Sequence, residues 1–121
     1  QLGLTRITAA TYKMLKSSID AFINNDPDLA THILPSDATV DQLYAQLQAE
    51  LIDVMRERPE DISTGAHLLI TLHDIERMAD HATNIAENVI FLVQAKLVRH
   101  RNVNDEGLDF SQILDASRDD D

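Results

Sequence analysis

Through the first fifth of the chain, Leu4, Ile7, Met14, Leu15, Ile19, Phe22 and Ile23 recur at three- and four-residue intervals, with Thr11 and Ser18 in the same series. That is the period of a helix; a strand would alternate every second residue. The pattern predicts a helix over 3–24. Asn24-Asn25-Asp26-Pro27 then supplies a stop and a restart, with Asp26 as N-cap and Pro27 as the first residue of the next helix. A short helix over 27–34 is expected from Leu29, Ala30 and Ile33, and Pro35 removes an amide that an unbroken helix would need. Beyond that break, Val40, Leu43, Leu47, Leu51 and Val54 form the seam of a second long helix over 37–58. Arg56 to Asp61 makes a tight connection, basic residues closing one helix and acids opening the next as the helix dipole favours. A third helix over 60–100 follows, about 60 Å long if unbroken, with Gly65 early enough to be tolerated. The fold class expected is all-α: an antiparallel three-helix bundle whose second helix is broken near Pro35.

Composition supports helices packed by aliphatic seams. Apolar residues make up 44% of the 121, aromatics 4%, and there is no Trp. The length suits one core, placed over residues 1–100. Residues 101–121 are rich in Asn, Asp, Gly and Ser and end in Asp119-Asp120-Asp121; they are expected to form an acidic, mobile tail in which Leu108, Phe110, Ile113 and Leu114 are the residues able to dock. The net charge of −11 divides into −6 over residues 1–100 and −5 over 101–121. So acidic a surface argues against a nucleic-acid partner and against an anionic membrane. No run of about 18 apolar residues exists to span a bilayer, and no signal-peptide pattern opens the chain. Absent cysteines leave no disulfide or thiolate metal site, which is compatible with a reducing cytoplasm. A chain opening at Gln1 without Met is expected to be a piece of a longer protein.

The third helix carries the candidate chemistry. At about 100° per residue, Glu76, Asp80 and Glu87 fall within roughly 40° of one another, beside the stripe of Ala79, Ala82, Ala86, Val89, Ile90 and Val93. A salt-bridge ladder would interleave Lys or Arg on that strip, yet the positions completing it are His73, Thr83 and Asn84. Asp37 and Asp41 repeat the arrangement on the second helix. If the two helices form a hairpin turning at Pro59, Asp41 lies eighteen residues before the turn and Arg77 eighteen after it, so both acid pairs stand level to within about a turn. Four carboxylates at one height either hold a hard cation through oxygen ligands or are simply solvated. His73, within about 60° of Glu76, is placed to add a nitrogen ligand. His81 points elsewhere, Asn84 is a candidate to orient a ligand carboxylate, and Arg77 is within reach of Asp74 or Asp80. A di-iron oxidase would need Glu-x-x-His on two helices, whereas this chain has His73-x-x-Glu76 once, reversed. With no phosphate loop or nucleophile motif either, the chain is read as not an enzyme. Ile70, Met78, Ile85 and Leu92 lie on another face, either completing a broad core or meeting another bundle.

The stretch Glu76-Arg77-x-x-Asp80-His81-Ala82-x-Asn84-Ile85-Ala86-Glu87, followed by Val89-Ile90-x-Leu92-Val93, resembles the signature helix of the PhoU family of phosphate-signalling regulators. It departs from the usual pattern at His73, where Arg is common, and at Ala79 and Ala95, where Gly is common. The resemblance implies one PhoU-like bundle, the C-terminal half of a tandem pair, with a second PhoU bundle or another copy as its neighbour in a homo-oligomer. It further implies multinuclear iron or other metal clusters held through Glu/Asp-x-x-x-Asp motifs. Carried over by position, the metal ligands are Glu76 and Asp80, then Asp37 and Asp41, then Glu87, with His73 and Asn84 as additional candidates and iron, zinc, manganese or magnesium as the ion. The implied role is a cytoplasmic regulator, peripheral at the inner face of the membrane through its partners. Those partners are the ATPase of the phosphate ABC transporter and the phosphate-sensing histidine kinase, both negatively modulated. The competing reading is a metal-free helical interaction or assembly module.

Overall fold

A computed structural model describes residues 2–106, and side-chain surroundings over 3–101. Among the described residues there is no strand: α1 spans Leu2–Asn24, α2 Pro27–Ile33, α3 Ser36–Glu57 and α4 Ile62–Glu106, with a single 3-10 turn at Pro59–Asp61.

The α1–α2 corner is built by three consecutive residues with separate duties. Asn25 adopts φ 49°, the left-handed conformation that most side chains avoid. Its N–H donates to the Phe22 carbonyl at 3.4 Å, and the Asp26 N–H donates to the Ala21 carbonyl at 2.9 Å, so α1 ends in the paired bonds of a Schellman cap. Asp26 then turns to the next helix, its side chain accepting from the Leu29 N–H at 3.1 Å while Pro27 fills the first helical position. The break at Pro35 is gentler. Leu34 and Pro35 both keep right-handed helical angles, and the Asp37 N–H donates to the Leu34 carbonyl at 3.2 Å, so α2 and α3 form one bent helix, as the missing proline amide dictates.

The three long units pack on one another, with α4 touching α1, α2 and α3 and α1 touching α3. Ile7 and Met14 of α1, Val40, Leu47 and Leu51 of α3, and Leu72, Ala79 and Ala82 of α4 form the main core. Ala21, Ala30, Ala86 and Val89 close the end near the α1–α2 corner. Small side chains at Ala79, Ala82 and Ala86, all buried, let the neighbouring helices come close to α4 where the acids lie. At the turn end, Gly65 does more than escape a penalty: a Cβ there would stand 2.5 Å from the Met55 Cγ, so the start of α4 approaches α3 only because the side chain is missing.

One expectation needs revision. α4 runs to Glu106, not His100. The sequence explains this, since no glycine or proline interrupts it between Gly65 and Gly107. The part of the expected tail beyond Glu106 lies outside the described residues. The open question about the second face of α4 is answered outward: Ile70, Met78 and Leu92 are exposed, and half-buried Ile85 shares a groove with exposed Ile19 and Phe22 of α1.

Urea unfolding monitored by circular dichroism should rank three sites. Leu72→Ala, emptying a fully buried position, should cost about 2–5 kcal/mol. Gly65→Ala should cost about 1–3 kcal/mol through crowding against Met55. Asn25→Gly should leave stability unchanged or up to about 1 kcal/mol higher, whereas Asn25→Val should lower it by about 1–2 kcal/mol.

Candidate metal centre

The bent helix delivers Asp37 in the first turn of α3, half-buried, and Asp41 one turn later. α4 runs antiparallel to α3 from the turn at Pro59–Asp61, bringing Glu76 and Asp80 alongside. Asp41 precedes Pro59 by eighteen residues and Asp80 follows it by twenty-one, an offset of less than one helical turn. Asp37, Asp41 and Asp80 each present a carboxylate oxygen such that all three oxygens lie within 4.8 Å of one another. Glu76, half-buried and one turn before Asp80, feels the charges of all three.

These acids act on one another in the direction that proximity demands. Burial pushes the Asp41 carboxyl above its usual range, and the neighbouring charges of Asp37 and Asp80 push it further. Burial does the same for Glu76, reinforced by Asp80, Asp41 and Asp37; His73 alone among the groups acting on it pulls the other way. Asp41 is exposed to water, so screening keeps the repulsion modest. Asp37 adds a different signal. Its Oδ1 is buried without a hydrogen-bond partner, and a buried carboxylate oxygen in that condition calls for a cation or a water.

The donor set is oxygen throughout, which fits hard cations such as magnesium, manganese or ferric iron better than zinc, whose sites favour nitrogen and sulfur. His73, exposed on α4 close enough to Glu76 to act on it, is the nearby nitrogen. The remaining candidates stand apart. Glu87 is exposed and shares the angular strip but lies seven residues past Asp80, about 10 Å further along the axis. Asn84 is exposed one turn beyond Asp80, and His81 is exposed off the strip. A residue that sequence reasoning passed over is Thr83, whose Oγ1 is buried and partnerless one turn after Asp80. Its signal was the spacing Glu76-x-x-x-Asp80-x-x-Thr83, where Thr83 counted merely as a position that was not basic. Two clefts of about 430 Å³ each lie near the turn end: one between Gly3 and Leu47, the other between Val54 and Gly65. Neither contains an acid of the cluster, which stands on an open flank of the bundle.

Fold and site together define a small helical domain that gathers negative charge across two helices. The chain belongs to the PhoU family: the family model described as PhoU domain matches residues 4–89. It is 42% identical over 94 residues to the phosphate-specific transport system accessory protein PhoU homolog of Pseudomonas aeruginosa, covering 78% of this chain and 39% of that one. It is 36% identical over 104 residues to the protein of the same name from Xylella fastidiosa, covering 84% and 43%. The like-named Pseudomonas putida protein is 40% identical over 87 residues, covering 72% and 34%. The chain thus spans less than half the length of these relatives.

The raised carboxyls fix a pH dependence for the metal-free protein. Asp41 and Glu76 hold their protons more tightly folded than unfolded, so the stability they contribute is greatest below the ordinary carboxylate range of about 4 and is lost as pH rises through the raised folded values. In chelator, Asp80→Asn should therefore melt a few degrees higher than wild type at pH 7, and the gap should narrow towards pH 4 in calorimetric scans. A gap independent of pH would show that the acids do not repel.

Proposed function

We propose that this chain is a metal-binding regulatory domain of phosphate uptake that restrains both the phosphate ABC transporter and the phosphate-sensing histidine kinase. The observation that carries the metal half is the convergence of Asp37, Asp41 and Asp80 from two helices, with the Asp37 Oδ1 buried and partnerless. The regulatory half is supported by family membership and by relatives named as accessory proteins of the phosphate-specific transport system. When bound, the cation supplies the positive charge that ties α3 to α4. Asp37, Asp41, Glu76 and Asp80 would hold it directly, His73 and Thr83 stand next to that set, and Glu87 and Asn84 lie further along α4. With their charge neutralised, these acids fix the relative position of the two helices and hence the surface that partner helices read. We place this action in the cytoplasm, at the inner face of the membrane through the transporter ATPase and the kinase. No helix among the described residues is long and apolar enough to cross a membrane. Catalysis forms no part of this role.

A second reading has its own observation. Exposed Tyr12, Ile19 and Phe22 on α1 and Met78 on α4 make an apolar flank beside a groove lined by Ile19, Phe22, Ile85 and Asn88. Such a flank suits a second bundle or another copy of the chain, with or without metal.

Elemental analysis of protein loaded with manganese or iron separates the two. Glu76→Ala with Asp80→Ala should lose affinity by more than about tenfold, the scale seen even for groups that only support ligands. At a hundred times its Kd, a cation bound only by the folded chain adds about 2.7 kcal/mol of stability, so wild type should gain melting temperature with metal and the variant should not. Equal metal in both proteins would remove the centre and leave the interaction module. Pull-down of the transporter ATPase and the kinase by the full reading frame tests the regulatory half, and failure to capture either would defeat it.

A further inference from the structure

Between α1 and the bent helix of α2 and α3 lies a cleft of about 200 Å³. Its floor is apolar, formed by buried Met14 and Ile33 with half-buried Leu29 beside them. Its rim is polar. Lys13 and Ser17 come from α1, one turn apart, and His32, Ser36 and Thr39 follow one face of the bent helix. That face is continuous because Leu34 and Pro35 keep helical angles through the bend, so Ser36 and Thr39 stay in line with His32. Pockets for drug-sized molecules hold roughly 300–1,000 Å³. This cleft suits something smaller.

The rim also selects the sign of a ligand. Residues 1–100 carry fourteen acids against eight Lys and Arg, yet the ionisable groups lining the cleft are Lys13 and His32, with no acid among the described residues of the lining. Asp20 and Asp28, each one turn from the rim along its own helix, stand outside it. The hydroxyls of Thr8, Ser18, Thr31 and Thr71 donate to carbonyls one turn back on their own helices. Those of Ser17, Ser36 and Thr39 do not, and among the described residues Lys13 makes no ion pair. Five side chains with donors to offer thus surround an apolar floor, where low-dielectric walls concentrate an ion of opposite charge. A carboxylate brings two acceptor oxygens to such a rim; a phosphoryl group brings three or more.

We propose that this cleft binds a small, soluble tetrahedral oxyanion of the phosphate class. Lys13 supplies the charge, and Ser17, Ser36, Thr39 and the His32 ring supply hydrogen bonds. None of these residues belongs to the acid cluster, so the site stands whether or not a cation binds there.

Titrating the full chain with inorganic phosphate at constant ionic strength, followed by nuclear magnetic resonance of the backbone amides, tests this. The amides of Lys13, Ser17, Ser36 and Thr39 should shift saturably with a midpoint of about 1–10 mM, as one charge and a few shared hydrogen bonds supply. Lys13→Gln should raise the midpoint about tenfold. Lys16→Gln removes the same charge from an exposed position outside the lining and should change it less than about twofold. Ser17→Ala with Thr39→Val should raise it about fivefold. Equal losses in the two lysine variants would reveal only the general field of α1 and overturn the site. A response to acetate as strong as that to phosphate would do the same, as would shifts confined to Asp41, Glu76 and Asp80. Shifts at the four amides with phosphatidic acid vesicles but not with free phosphate would assign the cleft to a lipid headgroup and overturn the proposal equally.

Discussion

The structure depends on the register between α3 and α4. An antiparallel helix pair has one free parameter once its faces are chosen, the sliding of one helix along the other, and the turn at Pro59–Asp61 sets it. The closeness of Gly65 to Met55 locks that setting just past the turn, and Leu51 of α3 and Leu72 of α4 extend it inward through one continuous core. A slip of one helical turn would move Asp41 about 5 Å relative to Asp80 and dissolve the cluster. Apolar packing near the turn thus determines the electrostatics of a site some eighteen residues away.

That register holds like charges together, which a helix pair selected for stability alone would avoid. Asp41 and Glu76 both sit above their ordinary pKa range because burial and neighbouring carboxylates act in the same direction. The opposing influence on Glu76 comes from His73. Repulsion between solvent-screened acids is small compared with the burial of Ile7, Leu72 and Val40, so the fold tolerates it. A cation would turn the same arrangement into a cross-link between helices, which gives the cluster a use that solvation alone does not supply.

Much of this could be read from the chain because the local signals agree with one another. Asn25, Asp26, Pro27 and Pro35 each have one dominant structural meaning, and each takes it in the structure. Counting from Pro59 brought Asp37 and Asp41 level with Glu76 and Asp80 because helical rise is constant. What was not legible involved the third dimension. Thr83 looked like a neutral filler because no sequence pattern reports that a hydroxyl will be buried and partnerless. Gly65 was judged by helix propensity alone, although what makes a glycine necessary there is Met55 on another helix.

The exposed apolar residues follow from the same geometry. A helix of 45 residues beside partners of 23 and 22 cannot be covered along its length or around its girth. Two neighbours leave Ile70 and Met78 facing out, and the shorter partners leave Phe91, Leu97 and Val98 beyond the bundle's end. The two bare regions differ in charge. The flank of Ile70 and Met78 lies on the segment that carries Asp74, Glu76 and Asp80, whereas the projection is basic over Lys96 to Arg101. A single partner complementary to one would be mismatched in charge with the other, so the two surfaces call for different occupants.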